Sequence, residues 1–211
     1  MMRKSSATRI CVAVVCAATL GGLLSACAPI VLGGAAMGAL VATDRRTSGT
    51  QLEDEGIELR SIGRINSNLG DRVHVNVTSY NRQVLLTGEV PNAQDRQLVE
   101  QIVSRVENVR LVANELAVLG ASSLTQRSSD SLITGKVKAS MVDSKDLFAN
   151  AFKVVTERGI VYLMGRVTRR EADRATEIAR STGGVQKVVR LLEIISEEEL
   201  QRTLPAEPKK S

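Results

Sequence analysis

The chain has 211 residues, 43% hydrophobic and 24% charged, with a formal net charge of +5. That composition suits one ordinary domain or two small ones and excludes a long disordered chain. The single histidine, His74, leaves little for a His-rich metal centre or a Ser-His-Asp triad. Cysteines only at positions 11, 16 and 27 exclude a zinc ribbon or disulfide scaffold in the body of the chain.

Arg3, Lys4 and Arg9 precede any acidic residue, the first acid being Asp44. Ile10 to Leu24 is an apolar run of signal-peptide length, short of the about 20 residues a membrane-spanning helix needs. It ends in Leu24-Ser25-Ala26-Cys27. Small residues before a cysteine form the bacterial lipobox, in which the chain is cut before the thiol and the thiol carries lipid. An ordinary signal peptide with an incidental cysteine is the competing reading. Residues 1–26 are therefore expected to leave, and Cys27 to carry diacylglyceryl and acyl groups, with no other cofactor. The cut removes three basic and no acidic residues, so +5 falls to +2. Residues 27–49 read as the lipidated cysteine and a Gly/Ala/Val-rich spacer, with Asp44 to Thr50 the linker into the first folded unit.

The body is an internal repeat. Val84-Leu85-Leu86-Thr87-Gly88 is echoed 77 residues later by Val161-Tyr162-Leu163-Met164-Gly165, and Asn108-Val109 by Gly184-Val185 at 76. A period this long implies two tandem domains rather than a solenoid. In the first copy Ile62, Ile65 and Leu69 predict a helical stripe. Val73, Val75 and Val77 alternate as a strand, Asn81-Arg82 turns, and Val84 to Val90 is a second strand. Pro91-Asn92 starts a helix with Leu98, Ile102 and Val106 on one stripe, and Val109 to Leu119 is a third strand. In the second copy Ile133, Val137 and Met141 form the first stripe, Phe152 and Val154 alternate, and Arg158-Gly159 turns. Ile160 to Val167 is a strand, and Arg169 to Ser181 a helix with Ala172, Ala175 and Ala179 inside. Gly183-Gly184 stops it before the last strand, Val185 to Ile195. The expected fold is α+β, two α-β-β-α-β domains over 50–119 and 130–195. Residues 120–129 are the expected linker and 196–211 a polar tail. In each domain two helices cover one face of a three-stranded mixed sheet. Each domain is small enough to be marginal alone, so the two are expected to pack together. Gly88 and Gly165 read as points of close backbone approach.

This order behind a lipobox resembles tandem BON domains, a module named for bacterial osmotic-stress and nodulation proteins. The paired Val-Leu-Leu-Thr-Gly and Val-Tyr-Leu-Met-Gly motifs carry the likeness. Thr43 to Thr47, Val77 to Tyr80 and Gly165 to Ala172 narrow it to dual-BON lipoproteins. The resemblance implies a non-enzymatic periplasmic protein that binds anionic phospholipid, chiefly through the second domain, and supports outer-membrane integrity. Ala28 after the cysteine, in place of Asp, implies the outer rather than the inner membrane. The family's first helix in the second domain presents a bulky, often aromatic residue at the position of Leu132.

Charge divides unevenly between the copies. Residues 50–119 carry seven Lys/Arg and ten Asp/Glu; residues 128–195 carry twelve and eight. The second domain is the one drawn to an anionic surface, and nucleic acid is a poor partner for so few aromatic residues. At about 100° per residue, Leu132 and Ala139 lie about 140–160° from the Ile133 stripe, with Lys136 beside them. Leu132, Gly135, Lys136, Lys138 and Ala139 are accordingly the candidate lipid-binding residues. Packing of Leu132 against the first domain is the alternative. Asp143 with Asp146 and Glu171 with Asp173 lack a partner histidine, a phosphate loop or metal-ligand spacing, and His74 stands alone in a strand. No enzyme, metal site or small-molecule substrate is expected. The competing class is a periplasmic adaptor whose charged faces recruit envelope, division or peptidoglycan-remodelling proteins.

Overall fold

The computed structural model describes residues 44–120 and 122–203. The proposed signal peptide, Cys27, the spacer up to residue 43 and residues 204–211 lie outside the described residues. The first unit comprises α1 (Ser48–Leu69), β1 (His74–Tyr80), β2 (Gln83–Val90), α2 (Ala93–Ser104), β3 (Leu111–Asn114) and β4 (Ala117–Val118). The second comprises α3 (Leu124–Asp143), β5 (Phe152–Glu157), β6 (Ile160–Val167), α4 (Arg169–Ser181) and β7 (Lys187–Ile194), followed by a short α5 (Glu197–Thr203). This is the α-β-β-α-β order, twice.

Local chemistry explains the elements. The β1–β2 turn places Asn81 and Arg82 at φ 50° and 64°, and the β5–β6 turn places Arg158 and Gly159 at 54° and 73°. Left-handed backbone at both central residues matches the twist of a two-residue hairpin. The third strand of each unit runs parallel to the second, which requires a crossover, supplied by α2 and α4. Thr168 and Glu171 form a reciprocal capping box that starts α4, and Asn92 caps α2 through the Asp95 amide.

Each unit has its own core between two helices and one sheet face. Ile57, Ile65, Val77, Val84, Leu86, Val99 and Val103 belong to the first; Ile133, Val137, Met141, Phe152, Val154, Leu163 and Ala175 to the second. The opposite sheet faces pack on each other, with Tyr80 and Leu85 of the first unit against Tyr162 and Met164 of the second. The expected interdomain contact is thus sheet against sheet, which covers apolar area that neither small unit can bury alone.

Several boundaries differ from expectation. The linker over 44–50 is short: Thr47 caps α1, which begins at Ser48. The buried stripe of α1 is Asp54, Ile57, Ser61, Ile65 and Leu69, and Ile62 is 39% exposed. Apolarity misled there because a buried serine and aspartate occupy core-facing positions. In α2 the buried positions are Asp95, Val99 and Val103, so Leu98 faces outward. The strand expected over 109–119 is broken. Glu115 and Leu116 interrupt it, Leu116 turning into the core while the Asn114 side chain accepts the Leu116 amide at 3.3 Å. Helix α3 starts at Leu124, inside the expected 120–129 linker, capped by Ser123. Part of the expected polar tail is α5, with Leu200 buried. Gly88 and Gly165 are points of close approach to backbone, Gly88 to the neighbouring strand and Gly165 to the short 3-10 turn Ala149–Ala151. A Cβ would lie 2.1 Å from the His74 carbonyl oxygen at Gly88 and 2.6 Å from that of Ala151 at Gly165.

Candidate functional site

Helix α3 positions the candidate lipid-binding residues. Its inner stripe, Asp130, Ile133, Val137 and Met141, is buried. Leu132 is 66% exposed, so it does not pack into the first domain. Gly135, Lys136, Lys138 and Ala139 are exposed as well. At about 100° per residue Leu132, Gly135 and Ala139 share the outward face, with Lys136 on one flank and Lys138 on the other. The structure adds Leu124 and Val142, 80% and 70% exposed, to this face. Ser128 and Ser131 fill the positions between, so the central strip is uncharged. Neither lysine makes an ion pair among the described residues, and a Cβ at Gly135 would meet nothing within 4 Å. The signal for Val142 and Leu124 was present in the sequence as the same helical period carried about one turn past Ala139 and about two turns before Leu132.

The chain enters the fold beside this helix. Asp44 and Arg46 line a hollow of about 450 Å³ with Lys138, Val142 and Lys153. Two successive arginines fix the entry. Arg45 donates to both Glu171 carboxylate oxygens, at 2.7 and 2.6 Å, and to the Arg166 carbonyl at 3.1 Å. Arg46 donates to Asp54 at 2.9 Å and to Asp44 at 2.8 Å, and its guanidinium lies 4.2 Å from the centre of the Tyr80 ring. Arg45 therefore grips the second domain and Arg46 the first. Burial alone would raise the Glu171 carboxyl, but Arg45 and the Thr168 amide outweigh it and hold it below the usual range. Burial pushes the Tyr80 hydroxyl up to about 12, with nearby Asp44 adding to the effect.

Two carboxylates that carry no motif signal in the sequence organise the hairpins. Asp130 accepts the Arg158 and Gly159 amides, both at 2.8 Å. Asp54, 76 residues earlier, accepts the Asn81 and Arg82 amides at 2.8 Å and the Ser79 hydroxyl at 2.6 Å. Each satisfies amides left free by a left-handed turn. The strand offset of 77 carries Asp54 to Ser131; only the register of the helices, 76 residues between Ile57 and Ile133 and between Ile65 and Met141, pairs the two aspartates.

A polar seam closes one side of the domain contact. Buried Glu89 has His74 Nδ1 at 3.2 Å and Arg158 Nη1 at 3.5 Å, ion-pair distances without hydrogen-bond alignment. Asn76 donates to Glu157 at 3.2 Å across the seam. Burial, and then repulsion from Glu89, push the Glu157 carboxyl above its ordinary range. His74 is thus a seam residue rather than an isolated imidazole. Among the described residues no cluster of His, Cys, Asp or Glu could hold a metal ion, and no helix is long and apolar enough to cross a membrane.

Comparison with known proteins matches this geometry. The BON domain matches residues 54–120 and 129–196. The chain is 38% identical over 174 residues to the outer membrane lipoprotein DolP of Haemophilus influenzae, covering 82% of this chain and 90% of that protein. It is 32% identical over 154 residues to a 21 kDa hemolysin of Actinobacillus pleuropneumoniae, covering 72% and 79%. Osmotically-inducible protein Y of Escherichia coli is 28% identical over 117 residues, covering 54% of this chain and 58% of that one.

Proposed function

Because the chain belongs to the BON-domain family and carries two copies of the domain, we propose that it is a non-enzymatic, lipid-anchored outer-membrane protein facing the periplasm. In this reading its second BON domain binds anionic phospholipid through the outer face of α3, and so supports envelope integrity and division-site function. A relative that aligns with most of the chain is named as an outer membrane lipoprotein, and the lipobox at Cys27 supplies the anchor. Each buried acyl CH₂ contributes about 0.8 kcal/mol, and stable anchoring takes more than one chain.

One observation carries the lipid reading: an exposed, uncharged strip on α3, centred on Leu132, Gly135 and Ala139 and flanked by Lys136 and Lys138. Inserting one Leu fully contributes about 1.5–3 kcal/mol, and shallow insertion less. Each lysine near an anionic surface adds about 1 kcal/mol. The face alone therefore binds weakly, and the anchor holds it at the surface.

The test is co-sedimentation of the unlipidated chain from residue 44 onward with vesicles containing anionic phospholipid. Binding should fade at high salt, as exposed charges are screened. Leu132→Glu should weaken it at least tenfold, equivalent to about 1.4 kcal/mol, with the circular dichroism spectrum unchanged. Ile133→Glu, which puts a charge into the core, should unfold the domain. Wild-type binding by Leu132→Glu would remove α3 as the lipid face. No vesicle binding at all would favour the protein-adaptor class.

A further inference from the structure

The two domains treat the outer edge of their sheets differently. In the first, the edge is blunted: β3 and β4 are four and two residues long with a break between them. There the Asn114 side chain is tied to the Arg96 carbonyl at 3.1 Å and to Glu100 at 2.8 Å. In the second, β7 is unbroken over Lys187–Ile194, and all eight residues are in register with β6. Its other side pairs with no strand among the described residues. Adjoining hollows of about 530, 430 and 230 Å³ lie between β7 and α4 along its length, lined by Asp173, Arg180, Lys187, Arg190, Leu192 and Ile194 among others. Val188 and Leu192 on the helix side, and Val189 and Leu191 on the domain-contact side, are only partly buried. An open, unbroken, partly apolar edge is what a further strand completes.

We infer that β7 is a self-association edge, on which β7 of a second copy adds antiparallel to make a six-stranded sheet. A two-fold axis normal to the sheet keeps the helix face of one copy beside the helix face of the other, so paired residues must share a face. Centring the axis on Arg190 meets this along the strand. Lys187 then faces Glu193, Val188 faces Leu192 and Val189 faces Leu191, each pair occurring twice. Opposite charges meet at both ends, and apolar residues meet between them. Lys187 has no ion-pair partner within its own chain among the described residues, whereas Glu193 already accepts from Arg166 at 3.0 Å and from Asn81 at 2.6 Å, so Lys187 of the second copy joins an existing pair. The one like-charged pair, Arg190 against its own copy, arrives neutralised, because each Arg190 is bonded to Asp173 at 2.8 Å.

The experiment is mild oxidative cross-linking of the full-length chain in membranes of cells that produce it. Arg190→Cys places a thiol on the axis opposite itself and should give a disulfide-linked species of twice the chain's mass. Ser131→Cys, exposed on α3, should not. Adding Lys187→Glu to Arg190→Cys sets like charges opposite each other twice and should cut the cross-linked yield about tenfold. Adding Glu193→Lys as well should restore it. Absence of the Arg190→Cys dimer, equal cross-linking through Ser131→Cys, or a yield indifferent to Lys187→Glu would overturn the proposal. An adduct whose mass is not twice the chain's would assign the edge to a different protein. The outcome is independent of vesicle binding by α3.

Discussion

At the scale of single residues, the glycines show how little freedom some positions have. Gly88 sits at φ 110°, and a Cβ there would lie 2.1 Å from the His74 carbonyl oxygen. Both the backbone region and the clash penalise any side chain, so Gly88→Ala should cost about 1–3 kcal/mol. Gly135 is the opposite case. It is helical, exposed and unobstructed, and Gly135→Ala should stabilise by up to about 1 kcal/mol through helix propensity. Thermal unfolding of the two variants beside the wild type checks both signs. The special role of Gly88 was visible in the sequence as a glycine closing an apolar strand, repeated at Gly165. What it approaches was not visible, because the clash comes from a residue in the neighbouring strand.

At the scale of elements, a carboxylate on the first helix of each domain fastens the hairpin that follows. Asp130→Ala would leave the Arg158 and Gly159 amides without their acceptor, at about 1–3 kcal/mol for each donor left unsatisfied. The expected result is a lower thermal midpoint and faster hydrogen exchange at those two amides, with Asp130→Asn intermediate because it keeps an acceptor oxygen. Unchanged exchange at both amides would show that the turn stands without its helix. Helices and strands were legible from periodicity alone wherever burial follows apolarity, as in Ile133, Val137 and Met141. Periodicity and burial part in α1 and α2, where Asp54, Ser61 and Asp95 are buried and apolar neighbours such as Ile62 and Leu98 face outward. A polar residue that finds its partner only in the folded chain carries no periodic signal.

At the scale of the whole molecule, the domain seam couples stability to pH. The Glu157 carboxyl is pushed above its ordinary range by burial and by Glu89. A carboxyl raised in the native state binds protons there more readily than in the unfolded chain, so stability falls as pH rises. That contribution is fully present below the ordinary glutamate range of about 4.3 and is lost as pH rises through the native value. Glu157→Gln keeps an acceptor for Asn76 and removes the charge. Its thermal midpoint should exceed that of the wild type at about pH 8, and the advantage should shrink toward pH 4. A variant that is less stable than wild type at about pH 8 would mean that the ionised carboxylate supports the seam.

The sequence by itself determined the repeat, the α-β-β-α-β order, both hairpin turns and the place of Leu132 off the core stripe, while its exposure, rather than packing on the first domain, was decided by the folded structure. These follow from local rules: turn chemistry, hydrophobic period and the copying of one module. Only the tertiary structure decided that the sheets pack face to face and that Arg45 and Arg46 grip different domains. It alone also placed His74, Glu89, Glu157 and Arg158 in one seam and left β7 open while β3 and β4 are broken. Each of these joins residues far apart in the chain, such as Arg45 and Glu171. Such contacts arise from three-dimensional packing and leave no mark on the local pattern of either segment.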